Sequence, residues 1–282
     1  MKVTIIGASG FIGRHLAAAL RARGDAVGTA SLRDPAAAAA ACAGSDAVVN
    51  LAGEPVAQRW TAAAKAKIRS SRVDAGLELI GALGALSDVP KGYISASAVG
   101  YYGTSPEITF DESSPAGTDF LAESCVAWEA TADTAARYGM RVAKIRTGLV
   151  LGTDGGALAA LLPLFKLGAG GVVASGKQWY SWIHIADQVG IYLHAIDGRD
   201  GVFAATAPEP VRNAAFTRAL AAAVHRPAWL PTPAFAVALV FGEGALFVTQ
   251  GQRVLPRRTL ETGYRFKFTT LDAALRELTA RP

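Results

Sequence analysis

The sequence predicts an α/β fold: a Rossmann-like, doubly wound parallel sheet with a smaller α/β substrate-side region toward the C-terminus. Three observations carry this expectation. An apolar, β-branched run at residues 2–6 leads into Gly7, Gly10 and Gly13, and then into helical periodicity at Ile12, Leu16, Ala19 and Leu20. Four further apolar runs, at 26–31, 46–53, 92–99 and 141–152, alternate with helical patterns, as strands of a sheet covered on both faces do. The chain of 282 residues is 51% hydrophobic and 18% charged, which suffices for a sizeable core and argues against disorder. The expected division is a dinucleotide-binding core at 1–152 and a substrate-side region at 153–282 that partly returns to the core.

The opening strand, glycine turn and helix place backbone N–H groups and the positive helix end against a pyrophosphate. Gly7 allows the turn, Gly10 the close approach of phosphates, and Gly13 the packing of helix on strand. Gly7, Ser9, Gly10, Phe11, Ile12 and Gly13 are therefore expected to bind cofactor, and the helix should end at Gly24. The second strand, "AVGTAS", decides between the nicotinamide cofactors. An NAD site offers Asp or Glu there for the ribose hydroxyls. This chain offers Ser31, Leu32 and Arg33, and a hydroxyl with a guanidinium suits the 2′-phosphate of NADP. The alternative is an idle, exposed Arg33 followed by Asp34 as the cap of a short alanine-rich helix.

The third strand, "DAVVNLAG", ends in a small-residue loop, Leu51, Ala52 and Gly53, that could lie under the cofactor. One long helix is expected from about Thr61 to Leu86, then the strand "GYISASAV". The stretch "DFLAESCVAWEATA" (119–132) reads as a helix capped by Asp119, with Leu121, Cys125, Trp128 and Ala132 on one face. The strand "RVAKIRTGLVLG" follows. Ligands sit at the carboxyl ends of such strands, which gathers Asn50–Glu54, Ser95–Tyr102 and Thr147–Val150 around one crevice.

The net charge is +5, and the positive residues are scattered except for Arg253, Arg257 and Arg258. No basic stripe interleaves with aromatics, so nucleic acid is not an expected partner. A small anionic ligand fits the balance, as does a merely soluble surface. Cys42 and Cys125 lack metal-ligand spacing and read as reduced, buried thiols of a cytoplasmic protein; no metal is expected. The sequence enters its first strand without a signal peptide, and its longest apolar stretch, "FAVALVFGEGALFV", is too short and interrupted to span a bilayer. Beyond Gly152 the pattern predicts a helix and glycine-rich loop ("GGALAALLPLFKLGAGG"), a strand running into a helix ("SWIHIADQVGIYLHAI"), and a strand, turn and helix capped near Asn213. A short strand at 263–268 and a terminal helix complete the chain.

These motifs resemble the extended short-chain dehydrogenase/reductase superfamily: "GASGFIG", "NLAG" after the third strand and "SASAVGYYG" after the fourth. "NLAGEPV", "RW", "SR", "FLAESCVAWE", "RTGLVLG", "WIHIADQV" and "GQRVLPRRTLETGYRF" are similar to one atypical branch. These are the epimerase-family proteins grouped with the human short-chain member 39U, also described as nucleoside-diphosphate-sugar epimerase-like or cell-division-inhibitor-like. The likeness spans nearly the whole chain and includes a branch-specific segment from about residue 225.

In that superfamily a Tyr exchanges a proton with the substrate as hydride moves, a Lys one turn later tunes it, and a Ser bonds the same oxygen. Ser97 takes the Ser position. Leu121 and Cys125 stand in the Tyr and Lys positions, with Glu129 one turn on. Tyr101 and Tyr102 are the candidate replacements, and the apolar helix face accounts for Cys125 without a nucleophilic role. The resemblance also implies NADP contacts at Ser31, Leu51, Ala52, Arg72 and Val150, although the branch has Arg where Leu32 stands. For Arg72 a solvated helix face is the other reading. The His184 and Asp187 pair is expected to be structural, Asp187 capping its helix. Glu54 and Arg253 are candidate substrate contacts, Arg253 for a carboxylate or phosphate. Two functions stay open at this point: an NADP-dependent oxidoreductase or epimerase acting on a small molecule, and a non-catalytic NADPH-binding regulator, cell-division-linked or redox-sensing.

Overall fold

The computed structural model describes residues 1–280. The first half runs β1 (Lys2–Ile6), α1 (Phe11–Ala22), β2 (Ala26–Ala30), α2 (Pro35–Ala41), β3 (Ala47–Asn50), α3 (Ala62–Ser70), α4 (Asp74–Gly84), β4 (Gly92–Ala98), β5 (Thr109–Phe110), α5 (Phe120–Asp133) and β6 (Arg141–Thr147). The second runs β7 (Leu149–Leu151), α6 (Gly156–Lys166), β8 (Trp179–Tyr180), β9 (Trp182–His184), α7 (Ile185–Ile196), β10 (Gly201–Ala205), β11 (Val211–Arg212), α8 (Asn213–Ala223), α9 (Ala234–Phe241), α10 (Leu246–Thr249), β12 (Arg253–Val254), α11 (Arg257–Glu261) and α12 (Leu271–Thr279). Six strands form one parallel sheet in the order β10-β6-β4-β3-β1-β2. The doubly wound fold expected from the alternation is therefore present. β1 and β3 bury every residue of "VTII" and "AVVN" because helices cover both faces.

On one face Val3, Ile5 and Val49 pack with Leu16 and Leu20 of α1 and with Ile191 and Tyr192 of α7. On the other, Ile6, Val48 and Tyr93 pack with Leu79, Leu83 and Met140. A third cluster lies in the second half, where Leu158, Leu162, Trp182, Phe216 and Leu275 bring α6, α8 and α12 together. Both cysteines are free and buried. Among the described residues no helix is long and apolar enough to cross a membrane.

Three elements differ from the sequence expectation, each through a contact distant in sequence. The helix expected over 61–86 is two helices. The Ser71 hydroxyl donates to the Ile68 carbonyl and accepts from the Glu54 N–H at 3.0 Å, and the chain turns there. The strand expected over 141–152 breaks at Gly148, where an added Cβ would lie 2.1 Å from the Ser181 carbonyl oxygen. Its first part stays in the sheet, and β7 leaves to pair with β9. Residues 263–268 form no strand, because the Lys267 and Phe268 N–H groups donate to the Asp187 carboxylate instead of to a ladder. The helix expected to be capped near Asn213 is α8, with Arg212 in the cap position and the Asn213 side chain accepting from the Val173 N–H.

Asp187 is structural, as expected, but it is not a cap. Fully buried, it also accepts from the Tyr264 hydroxyl and so fastens the C-terminal loop to α7. The cap of α7 is His184, whose Nδ1 accepts from the Ala186 N–H at 3.0 Å while Nε2 lies 2.9 Å from Glu277. That arrangement assigns the proton to Nε2. Burial outweighs the Glu277 carboxylate and holds the His184 pKa below its ordinary 6.5, and burial depresses His194 likewise. The unfolded chain thus binds more protons than the folded one in the window below 6.5, so this contribution to stability is lost as pH falls through it. Melting temperatures taken between about pH 7.5 and about pH 5.5 should decline, and less steeply in His184→Asn, whose amide oxygen can still cap. An unchanged slope in that variant would assign the titration elsewhere.

Candidate cofactor and active site

The site forms where the chain order reverses, between β1 and β3, the place at which open parallel sheets bind ligands. Gly7 has φ +85°, which lets the loop after β1 fold tightly, and its Cα comes against the backbone of Leu51 and Ala52 after β3. Gly13 faces the same turn: a Cβ there would lie 2.4 Å from the Gly7 oxygen and 2.7 Å from the Ala8 Cα. Gly10 occupies the cap of α1 with no side-chain capping bond, so the first-turn N–H groups are open to a ligand. Ser9, Phe11 and Ile12 lie at this open end. The Phe11 ring seats against Gly152, Gly155 and Gly156, where any Cβ would come within 3.0 Å of it.

A pocket of about 590 Å³ extends from this turn along α1 to the end of β2. Gly7, Ala8, Ser9, Thr29, Ser31 and Ala52 line it together with Arg14 and Arg21, which the sequence reading passed over. Leu32 also borders the pocket while packing into the core beside α2 and α4. Arg33 is exposed and is not among the lining residues. Asp34 does cap α2, its Oδ1 accepting from the Ala37 N–H at 3.0 Å.

Arg72 is not on a solvated helix face. Its guanidinium passes beneath Gly53, where a Cβ would lie 2.9 Å from Cζ, donates to the Ile68 carbonyl at 2.9 Å, and sits 4.9 Å from the Trp128 ring centroid. No carboxylate lies within 4 Å of it among the described residues, and burial lowers its pKa. Glu54 is half-buried and accepts from the Gln58 amide at 3.2 Å. Val150 is buried against the α1 and α7 cluster.

At the carboxyl end of β4 the structure joins the three candidate catalytic residues through two others. The Ser97 hydroxyl donates to Glu129 Oε1 at 2.7 Å. Arg146 holds the same carboxylate in a two-point grip, Nε to Oε1 at 2.7 Å and Nη2 to Oε2 at 2.8 Å. Arg146 Nη1 donates to the Tyr102 hydroxyl at 3.0 Å, and its Cζ lies 3.4 Å from the Tyr101 ring centroid. The side chains of the Glu129–Arg146 pair are only 7% and 4% exposed. Tyr102 is buried against Phe110, and burial pushes its hydroxyl up to about 12. Tyr101 is half-buried.

Leu121 and Cys125 lie on α5 against Gly100, just past Ser97. Burial pushes the Cys125 thiol up to about 12, which removes the thiolate a nucleophile needs. Glu129 repeats the 121–125 spacing one turn on, so its face was legible. Its partner was not. Arg253, in β12, is half-buried, lies 5.1 Å from the Trp179 ring centroid, and has no carboxylate within 4 Å among the described residues. Arg212, also unforeseen, lies 3.8 Å from the same ring.

Comparison with known proteins agrees with this geometry. Residues 3–204 match the NAD dependent epimerase/dehydratase family, and residues 232–278 match a domain of unknown function, DUF1731. The chain is 42% identical over 301 residues to the chloroplastic SDR39U1 homolog of Arabidopsis thaliana, an epimerase family protein, covering 99% of this chain and 86% of the relative. The crystal structure of human epimerase family protein SDR39U1 (isoform 2) with NADPH superposes with a TM-score of 0.90 at 36% identity, over 99% of both chains. The nucleoside-diphosphate sugar epimerase of Corynebacterium glutamicum gives a TM-score of 0.80 at 33% identity, over 99% of this chain and 58% of that one. Glycine cradle, sheet order and whole-chain likeness together establish that the protein belongs to the NAD dependent epimerase/dehydratase family, in its SDR39U1-like branch.

Proposed function

We propose that this chain binds NADPH across the switch point and uses it in oxidoreductase or epimerase chemistry on a small, anionic substrate. In this reading Ser97 and Glu129 handle the proton that a Tyr–Lys pair handles elsewhere in the superfamily. The fit to the cofactor rests on the uncapped start of α1 and on the Gly7–Gly13 approach, which leave backbone donors and space for a pyrophosphate. The human relative, described with NADPH, supports the choice of cofactor.

The observation that carries the reaction is the Ser97–Glu129 hydrogen bond. Bound nicotinamide supplies or accepts hydride. In the oxidation direction a substrate hydroxyl donating to Ser97 Oγ can release its proton to that oxygen, as hydride leaves the carbon, while Ser97 passes its own proton to Glu129; carbonyl reduction runs the same relay in reverse. Arg146 keeps the carboxylate aimed at Ser97. Arg146 also orders the tyrosines: Tyr102 accepts its Nη1–H, and Tyr101 lies against its flat face, leaving the Tyr101 phenol as the second candidate to touch substrate. Arg72 beneath Gly53 and Arg253 beside Trp179 offer positive charge with no carboxylate within 4 Å among the described residues, Arg72 to the cofactor and Arg253 to an anionic substrate. In this reading Glu54 is a substrate-side acceptor.

The second reading, a non-catalytic NADPH-binding regulator, is favoured by Leu121 and Cys125, neither of which can move a proton at neutral pH. Nicotinamide fluorescence titration with NADPH and NADH comes first, and tight NADPH binding is expected. NADPH oxidation is then followed with a panel of carbonyl compounds and nucleoside-diphosphate sugars, the latter suggested by the Corynebacterium relative. Slow turnover that disappears in Ser97→Ala, with NADPH affinity retained, is the expected result. Binding with no turnover on the panel, or turnover untouched by Ser97→Ala and reduced in Tyr101→Phe, would move the assignment to the regulator or to the tyrosine, respectively.

A further inference from the structure

We infer that Arg21, with Arg14 beside it, holds the 2′-phosphate of NADPH and is what selects NADPH over NADH in this chain. The inference rests on the NADPH reading above and assigns the part of the site that the sequence left unsettled. Three observations carry it.

Among the described residues the pocket along α1 has two ionisable lining residues, Arg14 and Arg21, and no carboxylate. A ribose carrying two free hydroxyls is usually met by an acidic side chain at the end of the second strand. Here that end presents the hydroxyls of Thr29 and Ser31. Such a lining is matched to a dianion.

Arg14, Ala17 and Arg21 stand three and four residues apart on α1, so they share one face, and all three line the pocket. Ala17 between them keeps the groove open. Arg21 makes no ion pair or side-chain hydrogen bond among the described residues and is exposed. Arg14 is bound to Asp154 at 3.0 Å, and both partners are about half exposed. An exposed pair of this kind is weak and easily exchanged for a phosphate.

The residues after β2 cannot do the same work. Leu32, half-buried against the core beside α2 and α4, carries no charge, and Arg33, one place further, lies outside the pocket lining. The cation therefore comes from the helix across the groove. Phosphate oxygens would accept from the Ser31 hydroxyl on one side and from the Arg21 fork on the other.

The test is a fluorescence titration of NADPH and NADH with the wild-type chain and with Arg21→Ala, Arg14→Ala and Arg33→Ala. Competition by 2′-phospho-ADP-ribose against ADP-ribose is measured alongside. Arg21→Ala should weaken NADPH about 10- to 100-fold, the span of a lost charge-assisted bond, and leave NADH unchanged. Arg14→Ala should act in the same direction but less, Arg33→Ala should be neutral, and Arg21→Lys should restore part of the NADPH affinity. The preference for 2′-phospho-ADP-ribose should vanish in Arg21→Ala. If the wild type prefers NADPH and Arg21→Ala keeps that preference, or Arg33→Ala abolishes it, the inference is wrong and the NADPH reading stands. If the wild type binds neither nucleotide, both fall. Arg21 is exposed on a helix, so misfolding does not cloud the outcome.

Discussion

Gly13→Ala is expected to weaken NADPH binding strongly and to lower the melting temperature, even though alanine is the better helix former. Propensity alone favours Ala inside α1 by about 1 kcal/mol. The new methyl, however, would lie 2.4 Å from the Gly7 oxygen, 2.7 Å from Ala8 Cα and 2.9 Å from Ala8 carbonyl carbon, all backbone atoms that cannot rotate away. Overpacking of this kind costs roughly 1–3 kcal/mol. It also forces apart the turn and helix whose N–H groups meet the pyrophosphate, so affinity should fall by about 100-fold, the upper range of one charge-assisted bond. Gly24→Ala is the control: φ there is +87°, nothing lies within 4 Å, and the site is at the far end of α1. It should cost stability through backbone strain and leave NADPH binding intact. Equal loss of binding in both variants would mean that the effect in Gly13→Ala is a loss of fold.

Glu129→Ala should be the most damaging single change away from the cofactor. It strands the Arg146 guanidinium, 4% exposed, without its carboxylate, and also removes the acceptor of the Ser97 hydroxyl. Losing one partner of a buried pair costs about 3–5 kcal/mol, which at this size corresponds to a fall of roughly 10 °C in melting temperature. The double change Glu129→Leu with Arg146→Met should recover most of that stability, because it leaves no unpaired charge. It should not recover activity. Glu129→Gln separates the two roles: its amide oxygen can still accept from Ser97 and one Arg146 N–H, so stability falls less, while proton acceptance is lost and kcat falls with KM nearly unchanged. A Glu129→Gln protein with full turnover would leave the pair a purely structural role.

The parts of this molecule that were legible in the sequence are those set by neighbours along the chain. Strands β1 and β3 show as largely apolar, β-branched runs because both faces of a parallel sheet are covered. The glycine cradle shows because its three members lie within seven residues, and Asp119 and Asp34 were readable as caps from position alone. What escaped reading was decided across the fold. Gly148 ends β6 because Ser181 passes close by, and residues 264–268 are held by Asp187 and not by a strand partner. The catalytic candidates were found singly. Their joining depends on α5 crossing β6 so that Glu129 meets Arg146, and spacing along one chain cannot reveal that. Arg14 and Arg21 are a different case: their three-and-four spacing about Ala17 was readable, but it gains meaning only when α1 is seen to face the end of β2.

The placement of β10 at the edge of the central sheet bears on how the protein is made. β10 pairs along its whole length with Ala143 to Thr147 of β6, yet it is separated from that strand in the chain by residues 148–200. At a ribosomal pace of ~5–20 residues per second, β6 waits on the order of 3–12 s before its partner emerges. Throughout that interval the growing chain displays an unpaired strand edge of a nearly finished sheet, a template for pairing with other chains. A stop or a slow stretch in translation between β6 and β10 would lengthen that exposure, and shortened products ending there should be recovered as aggregates or bound to chaperones.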